Sequence, residues 1–505
     1  MPYVKLRFPP GVFRNGTKYE SAGRWYDANL VRWSEGVMQA IGGWENIKDG
    51  NDADIDAGER ICGLIGWKDN DGVPIVAYGT KDSVYVLTGG SETDITPTGG
   101  LTTAGADDAS FSSEAYNDGA YNAGPYGSGA ESGGILTEAQ SWQFDTFGEK
   151  LVAIAYSDGI IYSWDTAPAN NLTAVSNAPT DCRGLVVTPE RFLVAIGAGD
   201  DDRQVKWSDQ EDETTWTAAS TNQAGGFILP GQGSLICGRR GRNETLIWGD
   251  QDLFAMRYIG GTLVYSFAQV GANCGIIGPL ALAAVDGRFF WMGQRGFYTY
   301  DGGAKPVPCE ISDEIFTSLN RLQRSKVAAV GISEFHEIWF MYPAGTSLTN
   351  NKIVCYNYLE NHWSGPWDLE RSVGIDRGAF GAPVFADEQG ALYYHETGLS
   401  YIDVDGSTDL STEIMAESGP FEIAQGDNVM TVRRVIPDED TLGEVNMRIY
   451  AGLYPTASEA YQDITLAEPS DARITGRQVR LRVTQDEPGW RLGTTRLEVV
   501  PRGKR

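Results

Sequence analysis

Residues 150–165 read KLVAIAYSDGIIYSWD. An unbroken apolar run, a Ser-Asp-Gly turn and a second aromatic-rich run describe a two-stranded ribbon buried on both faces. The same texture lies upstream in VPIVAYGTKDSVYVLT (73–88) and downstream in RFLVAIGAGDDDRQVKWSD (191–209), ETLIWGDQDLFAMRY (244–258) and RFFWMGQRGFYTYDG (288–302). EIWFMYP with KIVCYNY (337–358) and PVFADEQGALYYHETG (383–398) complete a set of seven. From residue 150 onward the ribbons start 41 to 53 residues apart. That spacing matches the roughly 40–50 residues of a four-stranded propeller blade. Such a sheet cannot cover both of its faces alone, and packing sheets radially covers each with its neighbour. The expectation is an all-β chain with a six- or seven-bladed β-propeller over 59–400, seven being favoured by the ribbon count. One helix is expected, over 311–330, where Ile315, Leu319 and Leu322 share a face behind Asp313 and Glu314.

The flanks differ from this middle. Residues 1–58 are dense in Arg and Trp with Asn-Gly and Gly-Gly turns, and read as an N-terminal arm of β-hairpins. Arg and Trp concentrate at interface hot spots, so Arg14, Arg24, Trp25, Arg32, Trp33 and Trp44 are the candidate interface residues. Residues 101–140 are rich in Gly, Ala, Ser and Tyr and almost lack aliphatic side chains, a composition that builds no core. They read as a flexible insertion or a long projecting loop. Over 401–505 longer alternating strands return, with Val479, Leu481 and Val483 against Arg480 and Arg482, as in a β-sandwich with one solvated face. Across 430–505, twelve basic residues meet eleven acidic ones, so the acidity belongs to the rest of the chain.

That acidity is large: 40 Lys+Arg against 68 Asp+Glu gives a net charge of −28 over 505 residues. Such a chain repels phosphate and is no general nucleic-acid binder; anionic membrane surfaces repel it too. No apolar stretch approaches the roughly 20 residues of a membrane helix, and the opening MPYVKLRFPPG has no signal-like apolar segment, which places assembly in a cytoplasm. The six cysteines are scattered without a CxxC pair, reading as buried thiols rather than zinc ligands or a disulfide framework.

Candidate chemistry is sparse. Nucleophile-elbow, phosphate-loop, dinucleotide and metalloprotease motifs are absent, and no carboxylate pair stands out as a glycosidase dyad. With three histidines, His336, His362 and His395, each beside strand aromatics, acid–base catalysis is short of material. Asp52, Asp54 and Asp56, and Asp403, Asp405 and Asp409, resemble calcium loops but lack a loop's closing Glu; solvated turns are the simpler reading. Trp207, Asp209 and Trp216 in VKWSDQEDETTWT form a candidate blade turn. It resembles the Asp box of sialidase propellers without its Ser-x-Asp-x-Gly spacing. No cofactor and no metal site is expected.

In order along the chain, LIWGDQDLFAMRY, VGANCGIIGPLA, FFWMGQRGFYTYDGG, PVPCEISDEIF, EIWFMYP and IVCYNYLENHWSG resemble the tail nozzle (tail tubular, hub) proteins of short-tailed bacteriophages. The opening RWYDANLVRWSEGVMQAIGGW and the late ESGPFEIAQGDNVMTVRRVIPD are similar to the same family's ends. The resemblance implies a β-propeller with added β-domains, assembled as a six-fold ring of this chain in the virion tail, below a portal or adaptor ring. Tail fibres or spikes would dock on its flank, and double-stranded DNA would pass its lumen without specific binding. It implies no catalytic residues. An acidic wall suits passage, because each phosphate held by Lys or Arg would have to be released during ejection; six copies would carry −168 (6 × −28). The alternative from another class is a carbohydrate-binding or carbohydrate-cleaving propeller at the host surface, which needs a pocket of converging carboxylates and aromatics.

Overall fold

The structure, a computed structural model, describes residues 3–111, 136–199, 201–401, 413–422, 428–437, 439–440, 445–454, 457–466, 470–485 and 489–503. Most of the insertion and the second Asp-rich run (Asp403, Asp405, Asp409) lie outside the described residues.

Seven four-stranded antiparallel sheets form a β-propeller. Blade 1 is Gly63–Lys68, Pro74–Gly79, Val84–Thr88 and Ser91–Asp94, and blade 2 runs from Trp142–Phe147 to Thr173–Ala174. Blades 3 to 6 follow in chain order, opening on Gly184–Val187, Leu235–Arg240, Leu282–Val285 and Ala328–Ile332. Blade 7 has only three strands from this part of the chain, Val373–Ile375, Val384–Ala386 and Leu392–His395. Its fourth is Trp44–Asn46, with His395 opposite Trp44 and Tyr393 opposite Asn46. The ring is thus closed by hydrogen bonds between distant parts of the chain, and the first strand of blade 1 lies against those of blades 2 and 7.

The seven ribbons legible in the sequence are the second and third strands of the blades. Leu151–Ala155, Leu193–Ile196 and Ile338–Tyr342 are buried throughout, because a neighbouring blade covers each face. Packing between blades is tight: a Cβ at Gly79 would lie 2.4 Å from Cδ1 of Trp142, so the seam between blades 1 and 2 closes only without a side chain there. Trp142 itself is fully buried and donates its indole N–H to Thr80 O at 2.7 Å.

The two ends of the chain build a second β body together. One sheet has the order Tyr3–Leu6, Thr495–Pro501, Met430–Ile436, Ser470–Gly476. A second orders Trp25–Asn29, Ile414–Ser418, Gln478–Gln485, Asn446–Gly452 and Ala460–Thr465, with Phe421–Glu422 also on Gln478–Gln485, and a third joins Val31–Ser34 and Val37–Ala40 to Arg491–Leu492 and Glu439–Asp440. Val479, Leu481 and Val483 point into the core, while Arg480 and Arg482 on the opposite face pair with Glu417, Glu459 and Glu413. Residues 1–58 are therefore not a separate arm. They contain one hairpin, Val31–Ser34 with Val37–Ala40, and their remaining strands are built into the sandwich sheets and blade 7. The physical reason is edge satisfaction: each end supplies strands to sheets that would otherwise present unpaired backbone.

The expected helix over 311–330 is shorter. Ser312–Ser318 is α-helical and Arg321–Lys326 is a 3-10 segment. The chain leaves helical geometry at Leu319 and Asn320 (ψ 122° and 95°), where the Asn320 side chain accepts from the Leu322 amide and starts the second piece. No helix among the described residues is long and apolar enough to cross a membrane.

Candidate functional site at the propeller axis

Segments preceding the first strands of blades 2 to 6 converge with turns between second and third strands at one end of the propeller. They enclose a cavity of about 340 Å³, at the small end of the ~300–1,000 Å³ typical of ligand sites. Ser141, Arg183 and Ser325 stand just before first strands, while Tyr156, Asp250 and Gln294 come from the turns. Glu138, from the chain leading into blade 2, completes the polar wall, and Leu235, Ile236, Ile277 and Pro279 form the apolar part.

The charges in this wall are largely paired. Arg183 makes a two-pronged contact to Asp202 at 3.0 and 3.1 Å, and Asp202 also accepts from Ser234 Oγ at 2.9 Å. Burial pushes the Asp202 carboxyl up, but the Arg183 and Ser234 hydrogen bonds outweigh it and hold the group below the usual carboxylate range. Arg183 further donates to the Tyr156 hydroxyl at 3.3 Å, and Arg324 donates to Glu138 at 3.1 Å. Asp250 is the exception: burial first, then the nearby Asp252 charge, raises its carboxyl above its ordinary value. One oxygen each of Glu138, Ser141, Asp250 and Ser325 is buried with no hydrogen-bond partner among the described residues. A buried polar atom left unpaired costs about 1–3 kcal/mol, so this wall is under-satisfied. Among the described residues no histidine or cysteine lines it.

The residues singled out in the sequence lie elsewhere. Trp25, Arg32, Trp33 and Trp44 are all buried in the chain's own core, a correction to their expected place at a docking surface. Their bulk closes the joint between propeller and sandwich instead. Arg32 donates to both oxygens of Glu396 and approaches Glu337 at 3.2 Å, joining the hairpin to blades 6 and 7. Trp44 stacks on Tyr401 at 4.2 Å and on His395 at 5.1 Å. Arg14 and Arg24 are part-exposed but committed to Asp27 and Glu310.

Trp207, Asp209 and Trp216 lie along one turn of blade 3, but the two rings pack apart, Trp207 against Tyr265 and Phe267 and Trp216 among apolar residues of blades 2 and 3. Asp209 Oδ1 accepts from the amides of Gln210 and Gln223 at 2.9 and 2.8 Å, and the Trp207 indole donates to Gln223 O at 2.8 Å. Trp216 donates to Glu213 O at 2.7 Å. Asp52, Asp54 and Asp56 diverge, with Lys48, Asn46 and the Gly58 amide as their separate partners. Among the described residues no group of three metal-ligating side chains forms.

Sequence reading missed the axial residues. They are spread over five blades, at strand edges and turns, so no motif links Ser141 to Asp250 or Ser325. The available signal is positional: polar residues just before a first strand or just after a second.

Comparison with solved structures returns propellers. The virginiamycin B lyase of Staphylococcus aureus aligns with a TM-score of 0.42 and 9% identity, over 70% of this chain and 98% of that one. The WD40 domain of Neurospora crassa Pan2 gives 0.39 and 9%, over 71% and 95%. YCF48 bound to D1 peptide gives 0.37 and 10%, over 71% and 97%. No family model and no curated protein matches the chain.

Proposed function

We propose that the protein is a structural subunit of a phage tail nozzle, a ring in the virion tail that conducts DNA and does not turn over a substrate. One observation carries this reading: the two ends of the chain build one β body together, and the N-terminal segment also closes blade 7, giving a propeller with an added β body. That layout accords with the resemblance that runs in order through nearly the whole sequence. The acidic balance of −28 supports the same role, since a conduit should repel its polyanion rather than hold it. In this reading six copies form the ring, a portal or adaptor ring seats it and fibres dock on its flank. Native mass spectrometry tests it. With its adaptor present, six copies, near 329 kDa (6 × 54.9), should add to the mass of the adaptor ring. A protein that stays monomeric with the adaptor bound refutes the ring.

A further inference from the structure

The axial cavity has chemistry that a passive ring subunit does not require. We propose that it is a binding site for a neutral polyhydroxylated ring, a mono- or disaccharide. A monomer would carry the same site, so the site does not depend on the ring.

The wall can satisfy some ligands and not others. An anion would need a free cation, yet Arg183 faces Asp202 and Arg324 faces Glu138. A metal ion would need several carboxylate, histidine or cysteine ligands together, and the described residues form no such group. What remains is a mixed set: the hydroxyls of Ser141, Ser325 and Tyr156, the amides of Gln251 and Gln294, and the Asp250 carboxylate. Hydroxyls and amides both donate and accept, whereas a carboxylate only accepts. Sugar hydroxyls are their complement, giving protons to Asp250 and taking them from the amides. Ser141 and Ser325 are more than nine-tenths buried, and their hydroxyls have no partner among the described residues. Ile236, Ile277 and Pro279 on the same wall offer the apolar surface against which the C–H face of a sugar ring packs.

Saturation-transfer NMR on the full chain tests this, with glucose, galactose, mannose, N-acetylglucosamine, maltose and lactose as probes and putrescine and inorganic phosphate as contrasts. At about 10 mM ligand, enough to fill a site with a millimolar Kd, at least one saccharide should receive transfer. Asp250→Ala and Gln294→Ala should each weaken that binding by about tenfold, the loss of one good hydrogen bond. Gln294 is half-buried at the rim, so its variant keeps the test open should Asp250→Ala fail to fold. No transfer to any saccharide, transfer unchanged in Gln294→Ala, or transfer to putrescine or phosphate alone would overturn the proposal.

Discussion

Replacing Arg32 by Ala removes the cation at the joint between the N-terminal hairpin and blades 6 and 7. The guanidinium is 1% exposed, donates to Glu396, lies 3.2 Å from Glu337 and sits 3.8 Å over the Phe335 ring. Glu337 is equally buried at 1%. Breaking such a pair leaves uncompensated buried charge and costs about 3–5 kcal/mol, several times an exposed ion pair. The cost should depend on pH. Burial already raises the Glu337 carboxyl above its ordinary value, and Arg32 is the first charge opposing that rise. Without Arg32 the carboxyl rises further, so the folded variant binds a proton that the unfolded chain releases. Its stability therefore recovers as pH falls through the raised value, and the gap to wild type narrows from pH 8 to pH 5. Urea unfolding followed by tryptophan fluorescence reads the midpoint at each pH. A triple change, Arg32→Met with Glu337→Gln and Glu396→Gln, should recover most of the loss. The amide oxygens can still accept from the Trp339 indole and the Gly42 amide, which the carboxylates now serve. A loss below about 1 kcal/mol, typical of an exposed pair, or a gap unchanged across pH, would refute the reasoning.

Three further outcomes concern blade 7 and the N-terminal strands. His395 is fully buried, and its Nε2 accepts from Arg371 Nε at 2.8 Å, so burial first, then the Arg371 and Arg32 charges, hold its pKa well below 6.5. The unfolded chain takes up that proton, so this contribution is present above pH 6.5 and lost as pH falls below it, by about 1.4 kcal/mol per pH unit. His395→Gln should flatten the acid limb of the wild-type midpoint between pH 7 and pH 5. Removing residues 1–46 takes the fourth strand from blade 7 and should give an aggregating chain that limited proteolysis degrades throughout. Removing residues 1–6 unpairs only the edge strand beside Thr495–Pro501 and should leave the propeller protease-resistant.

The propeller was legible because blade interiors write themselves as continuous apolar runs. Ile338–Tyr342 has neighbours on both faces, so no polar alternation interrupts it. First and fourth strands were not legible. Ala328–Ile332 is small and mixed, and Gly225–Ile228 is largely exposed. The placement of the Arg/Trp-rich opening could not be read either. Composition marks Arg32 and Trp44 as strong contact makers, but only topology tells whether the partner is another chain or Glu337 and His395 of this one. The axial wall was hidden for a related reason: its polar residues come from five blades and meet only once the ring is closed.

Low-resolution cryo-microscopy of the protein on its adaptor ring tests the central claim most directly. Class averages should show six copies around a lumen, each with a seven-spoked disc and a smaller lobe attached. Single particles scattered beside bare adaptor rings, or discs without that lobe, would contradict it.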